Sequence, residues 1–279
     1  MARNASVILK LITLPFLFFL VFFLVPLSVV LTSSFIDPAT HHASWVNYSK
    51  VLLDQYHWGV ILTTFRIAFF TTAICLLIGY PVAWYLVRIV RSSWWRRIFI
   101  IILVVPLFTS NIVRSFGWMI LLGRSGLVNK TLQYLELADK PVRFIGSETG
   151  ILIGMVYILL PFVVLAVGTS LSKMDHSLEY ASNDLGASPT KTFFHITFPL
   201  SLPGLAAGGI MVFALSVSAY VTPALLSGGR VTVLSMLIYQ QYSTVFNFNY
   251  GGALSVTLLV FTLALIGIAN HIGRVKGEN

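Results

Sequence analysis

Three groupings in this 279-residue sequence hold side chains of the kinds that do chemistry. The run Gly123-Arg124-Ser125-Gly126 has the spacing of a turn that presents a nucleophilic serine, and His271 is a histidine that such a serine would need as its base. The apolar runs between them put Ser125 and His271 on opposite faces of a bilayer, about 30 Å of hydrocarbon apart, whereas a base must lie within hydrogen-bond reach of its nucleophile. An intramembrane serine protease is therefore set aside, and a Gly-rich turn accounts for the run. His41, His42 and His57 share one loop, but two adjacent histidines and a distant third lack the spacing of a metal site. The carboxylates, Asp37, Asp54, Glu136, Asp139, Glu148, Asp175, Glu179, Asp184 and Glu278, all fall in loops or tails. An ion-coupled carrier usually marks its pathway with ionisable groups inside the membrane, so this alternative loses its obvious relay. No G-x-x-x-x-G-K-[ST] phosphate loop occurs, and ATP has no P-loop in this chain.

The elements that would position these groups are membrane helices. Hydrophobic residues make up 57% of the chain, charged residues 10%, and its mean hydropathy is +0.88; a soluble domain of this length carries about 25% charge. Runs of about 20 apolar residues predict six spans, at about 11–31, 59–87, 98–122, 149–170, 203–226 and 251–270. The first is too long, and lacks the cleavage site, for a signal peptide. Cys75 lies within an apolar run as a small buried hydrophobe. The formal charge of +9 is spread in short clusters between the runs, a pattern of membrane orientation rather than of nucleic-acid binding. With the N-terminus cytoplasmic, Arg3, Lys10, Arg88, Arg91, Arg96, Arg97, Lys173, Lys191, Arg274 and Lys276 lie inside, against Lys50, Arg124, Lys130, Lys140, Arg143 and Arg230 outside. The arginines around Trp94 and Trp95 strengthen this assignment. It gives an all-α, six-span protein with both termini cytoplasmic and one domain over 1–279.

The same topology puts the stretch YASNDLGASPTKTFFHITFPLSLPG, Tyr180 to Gly204, in the cytoplasm. Asp175 can cap a short helix holding Glu179 in its first turn, and Gly186 can end it. Ser188 before Pro189 starts a second helix, Phe193, Phe194 and Phe198 supply apolar anchors, and Pro199 and Pro203 are expected to break the chain before the fifth span. This helix-turn-helix resembles the coupling segment of ATP-binding-cassette (ABC) importer permeases, EAA, three residues, G, nine residues, I-x-L-P. Ala181, Gly186, Ile196 and Pro199 stand at matching places, whereas Tyr180 replaces the usual Glu, Ser182 an Ala and Phe198 a Leu, and Glu179 sits one residue early. LGYPVAWYLVR, VPLFTSNIVRSFGWMILLGRSGLVN and GMVYILLPF are similar to the spermidine/putrescine group of these permeases.

The resemblance implies a subunit of the bacterial inner membrane that works with a second permease subunit, two ATPase subunits and an extracytoplasmic binding protein. It implies no cofactor in this chain, ATP and Mg being held by the ATPases, and no nucleic acid as partner; membrane lipid surrounds it. Glu179, Tyr180, Ala181, Ser182, Asp184, Gly186, Ala187, Ser188, Ile196 and Pro199 are the expected coupling residues. Polar side chains among apolar ones, Thr109, Ser110, Asn111 and Arg114 in span three and Ser216, Ser218, Tyr220 and Thr222 in span five, mark a candidate solute path or ordinary interhelical bonding. Arg66 and Arg114 are placed to snorkel at outer span ends. Cargo sign stays open: the resemblance implies a polyamine, the arginines a phosphonate or carboxylate.

Overall fold

The computed structural model describes residues 12–275 except 14, 91 and 176, and the side chains as far as His271. Of the charges counted above, Arg3, Lys10, Arg91, Lys276 and Glu278 lie outside the described residues, as do residues 11 and 14 of the first span and the side chain of Arg274. The described chain is helical apart from turns and one isolated antiparallel bridge, Ile36 to Ala43.

The membrane-length helices are α1 (Pro15–Ser34), α3 (Gln55–Ile89), α7 (Glu148–Ser172), α9 (Pro189–Ser218) and α12, whose apolar part is Phe248–His271. Between them lie α2 (Val46–Leu53), the pair α4 (Ser93–Phe108) and α5 (Asn111–Leu121), α6 (Leu127–Tyr134), α8 (Ser177–Asp184), α10 (Val221–Leu226) and α11 (Leu234–Gln240). The chain divides into two compact units. One holds the described residues up to Ile61 with Leu234–Leu263; the other holds Leu62–Val233 and the residues from Ala264.

In the first unit the end of α1 is fastened by polar groups. Asn47 donates to the Ser34 and Ile36 carbonyls at 3.0 and 2.9 Å, Ser34 and Tyr48 share a hydroxyl bond of 2.7 Å, and Asn249 of α12 donates to the Ser33 carbonyl at 3.0 Å. His57, expected on the surface, instead links elements: its ring meets Asp54 at 3.1 Å and the Tyr250 hydroxyl at 2.7 Å.

The second unit is built around α7, which is over half buried in its most apolar stretch. Lipid is as apolar as leucine, so helices there associate through close packing rather than water exclusion. Ile151, Met155, Val163, Val167 and Leu171 of α7 are fully enclosed. Against them, Gly204 of α9 leaves no room for a side chain: a Cβ there would stand 2.5 Å from Ser170 Cβ and 3.1 Å from the Ala166 carbonyl oxygen. Cys75 is buried beside α7, its sulfur 3.8 Å from the Val156 carbonyl.

Three expectations are corrected. The third span is not one straight helix: α4 and α5 meet at 101°. Pro106 has no N–H to continue an α-helix, α4 tightens into a 3₁₀ turn over Val105–Phe108, Thr109 is extended, and Ser110 caps α5 by accepting the Ile112 N–H at 3.3 Å. The fifth span does not run to residue 226. It stops at Ser218, Ala219 is extended, and Pro223 lies buried inside the separate helix α10. Nor do Pro199 and Pro203 break the chain before span five: α9 is continuous from Pro189 to Ser218. A π turn over Phe193–Thr197, closed by the Phe198 N–H on the Phe193 carbonyl, precedes Pro199, the kind of local adjustment by which membrane helices tolerate proline; Pro203 lies inside the α-helix that follows.

Candidate coupling site

The segment from Asp175 to Thr197 is held on one side and bare on the other. Asp175 Oδ1 accepts the Ser177 N–H at 2.8 Å and starts α8. At the far end the Ala187 N–H reaches the Ser182 carbonyl and the Gly186 N–H the Asn183 carbonyl, the two bonds of a Schellman cap. Gly186 has φ +79°, the left-handed conformation that glycine adopts without a Cβ penalty, and open space surrounds the position. Ser188 Oγ then accepts the Lys191 N–H at 3.4 Å, with Pro189 in the first helical position. The turn is thus built from the capping residues that sequence picks out. Its second helix, however, is the first turn of α9 rather than a separate element.

Polar and aromatic contacts clamp this elbow to its own chain. Ser182 and Thr192 share a hydroxyl bond of 2.8 Å. Thr197, in the π turn, donates to Glu179 Oε1 at 2.8 Å, and the same carboxylate oxygen stands 3.3 Å from Arg88 Nη2. Arg88 sits at the end of α3 with its side chain only 6% exposed, Glu179 at 22%. Phe193 packs its ring against Tyr80, Trp84 and Phe198, and Ser201 donates to the Tyr80 hydroxyl at 3.1 Å. Arg96 of α4 closes the neighbouring helix end by donating to the Val90 carbonyl at 2.8 Å, a cation at a helix C-terminus. Of the arginine-rich loop, Arg88 and Arg96 are therefore structural.

Elsewhere the elbow leaves large apolar side chains open among polar ones such as Asn183, Asp184 and Lys191. Tyr180 is 66% exposed, Leu185 88% and Phe194 59%. Ala181, Asp184 and Pro199 are exposed, while Ser182, Ala187 and Ile196 are half-buried. Glu179 and Tyr180 therefore have divided roles: the acid faces inward to Arg88, and the aromatic ring faces outward.

The candidate path residues do not form one cluster. Ser115 of α5 and Thr222 of α10 share a buried hydroxyl bond of 3.0 Å; Ser115, which the sequence reading passed over, occurs within an ordinary apolar run. Thr109 bonds back to the Pro106 carbonyl at 2.7 Å, Ser110 is a cap and Asn111 is exposed, so these three mark the break in the broken pair. Ser218 bonds within its own helix, at 3.0 Å to the Ala214 carbonyl, and Tyr220 is half-buried at the break before α10. Ser216 is buried without a hydrogen-bond partner for its hydroxyl among the described residues. The two arginines placed at outer span ends have different surroundings. Arg66 pairs with Glu148 in the first turn of α7, and Arg114 packs its Nε and Nη1 inside the fold with no hydrogen-bond partner among the described residues. The pairs Arg66–Glu148 and Arg88–Glu179 were missed in sequence because their members are too far apart along the chain for any local pattern to link them.

Residues 75–272 match the family described as the binding-protein-dependent transport system inner membrane component. The chain belongs to that family. It is a permease subunit of an ABC importer, a multi-pass protein of the inner membrane, and it does its work as a transporter component rather than an enzyme. The permease is 34% identical over 214 residues to the spermidine/putrescine transport system permease protein PotB of Escherichia coli strain K12, covering 77% of each chain. It is 31% identical over 277 residues to the protein of that name from Haemophilus influenzae, covering 96% of each. Its fold is that of a chain in the crystal structure of a bacterial alginate ABC transporter in complex with an alginate pentasaccharide-bound periplasmic protein, with TM-score 0.82, 16% identity, and coverage of 98% of the permease and 95% of that chain.

Proposed function

We propose that the permease admits a polyamine of the spermidine/putrescine class to the cytoplasm by alternating access, with both of its termini cytoplasmic. An extracytoplasmic binding protein delivers the cargo, a second permease chain completes the path, and two ATPase subunits bind ATP and Mg and hydrolyse the nucleotide. The observation that carries this reading is the elbow, clamped to α3 and α9 through Glu179, Thr197 and Phe193 while it presents Tyr180, Leu185 and Phe194 outward. Such a surface fits a cleft on a soluble ATPase, with Gly186 setting the angle between its two helices. The relatives' names support the polyamine.

The broken pair supports a shared path. Non-helical backbone at membrane depth is tolerated only where protein covers it or water fills a cavity beside it, and Thr109, Ser110 and Asn111 are exposed on the single chain. A second permease chain would cover them and place Ser115, Ser216 and Thr222 near a hydrated seam. Arg114 favours a second reading, an anionic cargo such as a phosphonate or carboxylate, because a buried guanidinium repels a polyamine. The test is co-reconstitution of the permease with its binding protein, partner permease and ATPases in proteoliposomes. ATP-dependent uptake of radiolabelled spermidine, abolished by Tyr180→Ala/Leu185→Ala, is the expected result. Uptake by the permease alone without ATP refutes the reading, and uptake of a phosphonate but not spermidine selects the anion.

A further inference from the structure

The elbow follows the C-terminal end of α7; the loops at its N-terminal end, 25 residues away or about 37 Å along the helix, enclose a second feature. A cavity of about 270 Å³ is lined there by Arg124, Arg143 and Arg230, from three separate loops, and by no Asp or Glu. None of the three arginines makes an ion pair among the described residues.

The convergence is built in rather than accidental. Asn129 of α6, fully buried, donates to the Gly123 carbonyl at 2.9 Å and the Val142 carbonyl at 3.1 Å, and accepts the Val142 N–H at 2.8 Å. One side chain thereby staples the loop of Arg124 to the strand-like run of Arg143. Gly146, at φ +82°, donates its N–H to the Leu226 carbonyl at 2.9 Å, and a Cβ on it would stand 3.2 Å from Arg230 Cδ. Three like charges that line one cavity favour an anion there, and guanidinium forks match the oxygens of phosphate in geometry and charge.

We propose that this cavity holds the phosphate group of an anionic ligand, and its surroundings point to a phospholipid headgroup. Leu127, Tyr134 and Leu137 on and just after α6 are 65, 86 and 70% exposed. A short helix with bare apolar side chains next to basic ones is suited to the boundary between headgroups and acyl chains, which would bring a lipid phosphate level with the arginines. The site is at the end of α7 away from the elbow and shares no lining residue with the path candidates, which marks it as a lipid-anchoring site rather than part of the route for cargo.

The full chain, purified in detergent, is titrated separately with short-chain phosphatidylglycerol and with inorganic phosphate, and bound molecules are counted by native mass spectrometry. Saturable phosphatidylglycerol binding that weakens roughly thirtyfold in Arg143→Gln/Arg230→Gln supports the headgroup. Saturable phosphate binding with the same sensitivity, and no retained lipid, supports the same oxyanion chemistry with a free anion as its source. Both arginines are exposed, so the double variant keeps the thermal unfolding profile of the parent, and Arg97→Gln serves as a control that leaves binding unchanged. Equal binding by parent and double variant, or no binding of either probe by a folded parent, overturns the proposal. Capture of an acidic peptide with neither probe bound overturns it in favour of protein docking.

Discussion

Glu179→Ala removes the carboxylate that stands 3.3 Å from Arg88 and accepts the Thr197 hydroxyl at 2.8 Å. Removing one partner of a buried ion pair costs about 3–5 kcal/mol. The 22% exposure of Glu179 lets water replace part of what is lost, which puts the expected cost at the lower end, about 3 kcal/mol. That is roughly a hundredfold rise in the population with α8 lifted off α3 and α9, enough to disorganise the docking face while the spans stay intact. Hydrogen exchange of the peptide covering 177–184, measured in nanodiscs, reads this opening directly. Exchange should speed up by about two orders of magnitude in Glu179→Ala and by less in Glu179→Gln, which keeps an acceptor for Thr197. In Arg88→Leu/Glu179→Leu it should return most of the way, since an apolar pair of similar volume replaces a buried ion pair at little cost. Unchanged exchange in Glu179→Ala would refute the reasoning, as would a double variant no better than the sum of its parts.

Other outcomes follow from the same geometry. Gly186→Asp is expected to cost about 1 kcal/mol from backbone strain alone, because open space surrounds the position; the variant should insert normally yet lose binding-protein-stimulated ATP hydrolysis in the assembled transporter, and Gly186→Asn should retain more of it. Gly204→Ala drives a Cβ to 2.5 Å from Ser170 Cβ and should lower stability by about 1–3 kcal/mol, read as an earlier thermal transition in detergent. Ser115→Ala breaks the hydroxyl pair with Thr222 at a cost of only about 0.6 kcal/mol, the average for such bonds in membranes, with unaltered expression as the check. The Asp37 carboxylate, which accepts the Ala39 N–H and then the Thr40 hydroxyl, is held below its ordinary value of 3.8; its ordering of the 37–40 turn is therefore complete above that value and fades as pH falls through the lower folded value, and a spin label at Ala39, where only the backbone N–H is used, should gain mobility only in that acid range, or at every pH in Asp37→Ala.

What could be read from the sequence was local. Asp175, Gly186, Ser188 and Pro189 act on their immediate neighbours, so the start, end and turn of the elbow follow from residue type, and so do the apolar runs. The broken third span was obscured because its residues are apolar enough on either side of Thr109 to read as one run; a 101° bend leaves no mark on hydropathy. Pro199 and Pro203 misled for a related reason. Proline removes one hydrogen bond, and in a membrane helix neighbouring helices and local π adjustments compensate for that loss without ending the helix. Why Glu179 stands one place before the usual position was also unreadable, since its partner Arg88 lies on another helix. Once that pair is visible, the acid is an inward clamp and Tyr180 takes the outward place.

The continuity of α9 bears on how force would travel. Its 30 residues make a rod about 45 Å long, with the docking elbow at one end and Ser216 near the other. Because Gly204 lets this rod lie against α7 with no slack between the two backbones, tilting one obliges the other to follow. A push of about 3 Å at the elbow would tilt such a rod by roughly 4° about its far end, and nearly all of that angle would reach the seam beside α10, where the chain first becomes extended, at Ala219. In the proposed mechanism the Ala219 break at the end of α9 would take up such a tilt, and stiffening it should slow transport without weakening the grip of the elbow.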